Sequence, residues 1–66
     1  MADDQKMIND LKKCMKDANG DPDAMKICRQ NFEAAGGTTE GGKVFTTPNG
    51  GKVFVTDGGK VFTLPA

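Results

Sequence analysis

The fold is decided by the stretch Gly41-Gly42-Lys43-Val44-Phe45, because the same five residues return at 50–54 and again at 58–62. A polar residue precedes each copy, and threonine, valine or leucine residues follow it. One copy is therefore a glycine turn and a strand, and a unit of that size cannot bury its own apolar side chains. The repeats predict a β segment built from stacked copies, and they favour assembly over catalysis.

An antiparallel three-stranded meander over residues 43–66 is one architecture that fits the repeats. Asn49-Gly50 predicts a two-residue type I′ turn, which sets Phe45 opposite Phe54. The next loop has three residues and sets Phe54 opposite Phe62. The residues expected in turns are Gly41, Gly42, Asn49, Gly50, Gly51, Asp57, Gly58 and Gly59.

In this register both faces of the sheet are apolar. One face carries the phenylalanines with Leu64, and the other carries the valines. A sheet with two apolar faces must be covered twice, so we expect helices of the same chain on one face and another chain on the other. The predicted assembly interface comprises Val44, Phe45, Val53, Phe54, Val55, Val61, Phe62 and Leu64.

A second architecture also fits, an intertwined trimeric β-prism in which three chains supply the three sides. The strict repetition of Gly-Gly-Lys-Val-Phe favours the prism, because equivalent sequences suggest equivalent environments in its successive layers. Residues 40–64 loosely resemble the short glycine-turn repeats of phage spikes and fibres, with a different offset between valine and glycine. That resemblance implies a place in a virion assembly.

Residues 1–35 carry the pattern of two antiparallel helices. Apolar residues recur at helical spacing within 7–18 and again within 24–35. Asn19-Gly20 ends the first helix and Asp21-Pro22 starts the second, so the short turn places the helices side by side. The predicted stripe of the first helix is Met7, Leu11, Cys14, Met15 and Ala18, widened by Ile8. That of the second helix is Ala24, Met25, Cys28, Phe32 and Ala35, with Ile27 beside it.

The two cysteines, Cys14 and Cys28, each lie seven residues from Asp21 at the centre of the turn. This mirror placement sets them opposite one another, so we expect a structural disulfide across the hairpin. Two buried free thiols are the alternative, which a cytosolic protein would favour. The predicted fold class is α+β: a stapled helical hairpin at 1–35, a flexible glycine-rich connector at 36–42 and the β-repeat tail at 43–66.

Composition argues against several functions. Nine basic and nine acidic residues balance, so the chain lacks the long-range field that nucleic-acid and anionic-membrane binders use. It has no histidine, and no catalytic triad, phosphate-binding loop or carboxylate pair. We therefore expect no enzymatic activity, no cofactor and no small-molecule substrate. Nucleic acid could contact Lys43, Lys52 and Lys60, but lysines in strands more often keep sheet edges soluble.

Two segments are similar to calcium-binding loops but complete neither. Residues 17–23 alternate oxygen-bearing side chains as an EF-hand does, yet Pro22 replaces the loop glycine and Cys28 the closing glutamate. The Gly-Gly repeats are similar to β-roll nonapeptides, but valine and threonine stand at the following glycine and aspartate positions. Helix caps and turns explain these residues, so we expect no metal.

The lack of a long apolar run and the polar N-terminus bear on localisation and function. No apolar run approaches the roughly 20 residues that span a membrane, and Met1–Lys6 is polar, unlike a secretory signal. We expect cytosolic synthesis and a place in a virion or extracellular assembly. The predicted function is a small non-enzymatic structural protein that self-associates, as a trimer in the prism, or docks on a larger particle as a cement, spike or fibre component. A disulfide-stapled secreted effector or peptide-like ligand is the alternative.

Overall fold

The computed structural model describes residues 3–65, which form two helices followed by an antiparallel sheet. The elements are α1 (Asp4–Ala18), α2 (Pro22–Ala34), β1 (Thr38–Glu40), β2 (Val44–Thr46), β3 (Lys52–Val55) and β4 (Val61–Leu64). The strands lie in the order β1-β2-β3-β4, and every neighbouring pair is antiparallel. The predicted α+β fold with a helical hairpin is confirmed. The chain adopts the meander and not the three-chain prism.

Both ends of α1 and the start of α2 lie at the residues that predicted them. The Asp3 carboxylate caps α1 by accepting a hydrogen bond from the Lys6 N–H at 3.2 Å. Asn19 ends α1 in the left-handed conformation, with φ of 50°. Asp21 precedes Pro22 at the start of α2, but its side chain makes no capping hydrogen bond. The fixed φ of proline, rather than a side-chain cap, therefore favours this start.

The Cys14–Cys28 disulfide joins the two helices, as predicted. The Cα atoms of the two cysteines lie 5.7 Å apart, which is within the range that a disulfide needs. The bond holds the hairpin closed, so that its inward stripes form one apolar layer.

The core lies between this helical layer and one face of the sheet. Phe32 of α2 contacts Phe45 of β2 edge to face, with ring centroids 5.2 Å apart. Ile27, predicted beside the inward stripe, is 56 % exposed, because it lies about 100° around the helix from Cys28. Ala35, predicted on the stripe, is exposed because it follows the last residue of α2. The buried apolar residues are Met7, Ile8, Leu11, Met15, Ala18, Cys28, Phe32, Phe45, Val53 and Val55.

The glycine-rich segment after α2 contains a strand, which differs from the flexible connector predicted at 36–42. β1 pairs with β2 and makes the sheet four-stranded instead of three-stranded. Gly41 and Gly42 have φ of 60° and 70°, and the Lys43 N–H donates to the Glu40 carbonyl at 3.1 Å. Two consecutive positive φ values are what a tight hairpin turn requires. Glycine here makes a turn rather than a linker.

The register of β2 against β3 differs from the predicted one by one residue. Phe45 pairs with Val53, and Val44 pairs with Phe54. The register of β3 against β4 is as predicted, with Phe54 opposite Phe62. A one-residue shift moves every side chain of a strand to the opposite face of the sheet. Phe45 consequently joins the valines in the core, and Val44 joins the phenylalanines outside it.

Pro48 accounts for the shift. A type I′ turn at Asn49-Gly50 would need the preceding residue to donate its N–H to the Gly51 carbonyl, and proline has no N–H. The Thr47 N–H donates to the Gly51 carbonyl instead, at 2.7 Å. The loop is therefore three residues long, and within it Gly50 takes a positive φ of 98° while Asn49 does not.

Candidate assembly surface

The outer face of the sheet, which points away from the helices, is apolar at its centre. Cross-strand pairing places Val44, Phe54 and Phe62 side by side on β2, β3 and β4. Leu64 lies on the same face, two residues beyond Phe62. Phe62 is 52 % exposed, whereas the other three side chains are partly buried. These four residues are called the outer patch below.

Polar residues surround the outer patch. Glu40 pairs with Val44 on the β1 side, and Lys52 lies between Thr46 and Leu64 in the neighbouring row. An apolar centre inside a polar rim is the usual composition of a protein interface. The rim carries one acidic and one basic side chain, so the surface has no dominant charge.

The eight residues predicted as an assembly interface divide between the two faces. Phe45, Val53 and Val55 are at most 2 % exposed and belong to the core, and Val61 is partly buried against it. The remaining four are the outer patch. Pro48 is the signal that could have placed Phe45 with the valines and Val44 with the phenylalanines, because its missing N–H rules out the turn on which the predicted register depends.

The β2–β3 and β3–β4 turns share a hydrogen-bond pattern that the repeats do not reveal. In each turn a threonine N–H donates to the carbonyl four residues on, and the threonine Oγ1 accepts from the N–H of that same residue. These distances are 2.7 and 2.7 Å for Thr47 with Gly51, and 2.9 and 3.1 Å for Thr56 with Lys60. The threonines therefore fix one loop that contains Asn49 and Gly50 and another that contains Asp57, Gly58 and Gly59, while Gly51 pairs with Thr47.

Thr47 also joins the sheet to the start of α1. Its hydroxyl donates to Asp4 Oδ2, and the Asn49 side-chain amide donates to Asp4 Oδ1 at 3.0 Å. The hydrogen bond from Thr47 is the main reason that the pKa of the Asp4 carboxyl lies below its ordinary value of 3.8; partial desolvation opposes it and the bond from Asn49 adds to it. Sequence analysis missed this contact because Asp4 and Thr47 are 43 residues apart.

One salt bridge joins two of the turns. The Lys43 Nζ lies 3.3 Å from the Asp57 Oδ1, between the β1–β2 turn and the β3–β4 turn. Both side chains are largely exposed, so solvent screens their attraction and the pair adds little to stability.

The described part of the chain offers no metal site built from several acidic or sulfur ligands. Within residues 3–65, no three histidine, cysteine, aspartate or glutamate side chains are grouped so that they could hold a metal ion. Over the same residues, neither helix is long and apolar enough to cross a membrane.

Comparisons with protein-family models, curated proteins and solved structures find no match for this chain.

Proposed function

We propose that this protein is a small non-enzymatic assembly protein that self-associates, or docks on a larger particle, through the outer patch of its sheet. The observation that carries the proposal is the half-exposed Phe62 beside Phe54, Val44 and Leu64. Contiguous apolar side chains on a soluble surface are typical of interaction sites. A virion cement, spike or fibre component is the kind of protein whose work needs such a surface and no chemistry.

The charge distribution supports a second copy as the partner. The net charge is zero, so two copies do not repel one another at long range. Glu40 and Lys52 give the rim of the patch both signs of charge, and a surface that carries both signs can complement itself across a two-fold axis.

The size of the patch supports a reversible association. Complete burial of one phenylalanine, valine or leucine side chain contributes about 1.5–3 kcal/mol. Partial burial in the free chain reduces that gain, and the lost translational and rotational freedom opposes it. Four side chains from each copy therefore favour a complex whose population rises with protein concentration.

Sedimentation equilibrium over a wide range of concentration tests the proposal. We expect the wild-type mass to rise above that of the monomer, and Phe62→Ser to remain monomeric. Phe62 is already half exposed, so the variant should keep the wild-type circular dichroism spectrum. A wild type that remains monomeric at the highest concentration would exclude self-association through the patch.

Ile27→Ser is the matched control. Ile27 is 56 % exposed, which is close to the exposure of Phe62, but it lies on α2 and not on the sheet. This variant should associate as the wild type does. Equal dissociation of both variants would indicate a general effect of surface hydrophobicity and would contradict a role for the outer patch.

The disulfide supports a second candidate function, that of a secreted effector or peptide-like ligand. Disulfides persist mainly in oxidising compartments, and they are frequent in small secreted domains. Recovery of the disulfide-bonded monomer from the culture medium of its source would favour this candidate. Recovery of the chain within large particles would favour the assembly protein.

A further inference from the structure

A groove of about 480 Å³ lies between α1 and the free edge of β4. Its helix side carries Lys12 and Lys16, and its strand side carries Lys60, Val61 and Phe62. β4 is the last strand of the sheet, so its second edge pairs with no strand formed by residues 3–65. The groove therefore combines a basic helix surface with an open sheet edge.

The charged side chains of the groove have one sign. Three lysines line it, and none of its lining residues is acidic. Among residues 3–65 these lysines form no salt bridge with a carboxylate. The end of α1 does not need them either, because the Asn19 N–H satisfies the Met15 and Lys16 carbonyls. The lysine charges therefore remain available to an anionic ligand.

The edge of β4 offers backbone groups for pairing. The Val55 N–H points towards β2, where it donates to the Lys43 carbonyl at 2.8 Å. Hydrogen bonding alternates along antiparallel strands, so Val61, which pairs with Val55, directs its N–H and C=O away from β3. Thr63 lies two residues further on and has the same orientation.

We propose that this groove binds an extended acidic segment of a partner protein, which adds to β4 as a fifth strand. Its backbone would pair with Val61 and Thr63, as in other cases of strand addition to a sheet edge. Side chains alternate along a strand, so acidic residues would face Lys12 and Lys16 while apolar residues lie beside Phe62. The positive charge of the lysines and the free edge of β4 would then favour the same ligand, an extended acidic peptide.

The open edge favours a peptide over single-stranded nucleic acid. Lysines and an aromatic side chain also suit a nucleic acid strand. However, a peptide alone can match the alternating N–H and C=O groups of β4, and the neutral chain lacks the field that draws nucleic acid from a distance. Strand addition and self-association share Phe62 but differ in their charged residues, because Lys12 and Lys16 lie outside the outer patch.

A blocked hexapeptide of alternating glutamate and valine is the probe, and NMR titration of the full-length protein is the measurement. We expect saturable amide shifts across residues 60–64 and slower hydrogen exchange at Val61 and Thr63 in the complex. The same peptide, N-methylated at alternate residues to remove its donors, should bind at least tenfold more weakly. Equal binding of the methylated peptide, or unchanged exchange at both amides, would overturn strand addition.

Two double variants test the contribution of charge. Lys12→Gln/Lys16→Gln should weaken peptide binding about five- to tenfold, the scale expected for two exposed ion pairs. Lys6→Gln/Lys13→Gln removes the same charge from the same helix at positions that do not line the groove, so it should bind as the wild type does. Equal weakening by both variants would reduce the effect to net charge and overturn the proposal.

Two further measurements separate this site from its alternatives. Oligothymidylate that binds more tightly than the peptide and shifts the same amides would assign the groove to nucleic acid and overturn the peptide. Lys12→Gln/Lys16→Gln should keep the wild-type mass in sedimentation equilibrium, because these lysines are not part of the outer patch. Loss of association in this variant would contradict the separation of the two surfaces.

Discussion

Phe45 and Phe62 occupy the same position of the repeat, yet they lie on opposite faces of the sheet. Phe45 is fully buried against the helices, whereas Phe62 is 52 % exposed on the outer patch. The valine before each phenylalanine lies on the face opposite to that phenylalanine, so Val44 is on the outer face and Val61 on the inner face. The five-residue repeat therefore has two different environments within one short chain.

The cause of the difference lies in the spacing of the copies. The loops closed by Thr47 and Thr56 each contain three residues, so loop length does not distinguish them. Val44 and Val53, however, are nine residues apart and lie on opposite faces, whereas Val53 and Val61 are eight residues apart and share the inner face. Side-chain direction in a strand alternates with every residue, so, with loops of equal length, the spacing between copies decides which face a repeated side chain occupies. A repeated sequence therefore need not imply a repeated environment.

Replacing each phenylalanine by alanine tests the comparison most directly. Phe45→Ala should lower the free energy of unfolding by about 3–5 kcal/mol, the usual cost of removing a buried phenylalanine. Phe62→Ala should cost less than about 1.5 kcal/mol, because about half of that side chain is already in water. Urea denaturation followed by circular dichroism, at concentrations where the protein is monomeric, measures both. Similar losses for the two variants would contradict the assigned register.

The helical half of the molecule was more predictable than the sheet. Helix ends and the Cys14–Cys28 bond follow from local signals, namely capping residues, proline and symmetric spacing about a short turn. The pairing of Phe54 with Phe62 was also predicted, because the three-residue loop between their strands fixes it. These features depend on residues close together in the chain.

The features that escaped prediction depend on competition or distance. At the β2–β3 turn, Asn49-Gly50 favours a two-residue turn, but the missing N–H of Pro48 opposes it and prevails. β1 is only three residues long and lies between glycines, so it gives no strand signal. Phe45 and Val44 exchanged faces for the first reason, whereas Val53 and Val55 lie on the face that the helices cover in either register. The contact of Asp4 with Thr47 was missed because of its separation in sequence.

Removing the disulfide tests how far the buried face depends on its helical cover. Cys14→Ala/Cys28→Ala frees a loop of about 15 residues, and restored chain entropy should cost about 3 kcal/mol. The hairpin supplies the layer over Phe45, so fluorescence of an apolar dye should report exposure of the inner face in mild denaturant. Retention of wild-type stability would show that packing alone holds the helices together.

The two threonine turns allow a finer comparison. Thr47→Val removes the hydroxyl that accepts from the Gly51 N–H and donates to Asp4, at a position only 3 % exposed. Leaving the Gly51 N–H without its partner should cost about 1–3 kcal/mol. Thr56→Val removes the matching turn bond to Lys60, which is exposed to water, so the loss should be smaller. Equal losses, measured by urea denaturation, would contradict a link between Thr47 and α1.

The smallest expected effect is a dependence of stability on pH at that same link. The folded pKa of Asp4 lies below 3.8, chiefly because the Thr47 hydroxyl donates to the carboxylate, so folding favours the charged form. This contribution is fully present above pH 3.8 and is lost as the pH falls through the lowered pKa. Subtracting the stability curve of Asp4→Asn from that of the wild type should therefore give a difference that is constant near neutral pH and declines below 3.8.

Thr47→Val removes the main cause of the shift and should flatten the same decline. A difference curve that stays level down to pH 2, or that falls only near neutral pH, would show that the carboxylate does not join the two layers.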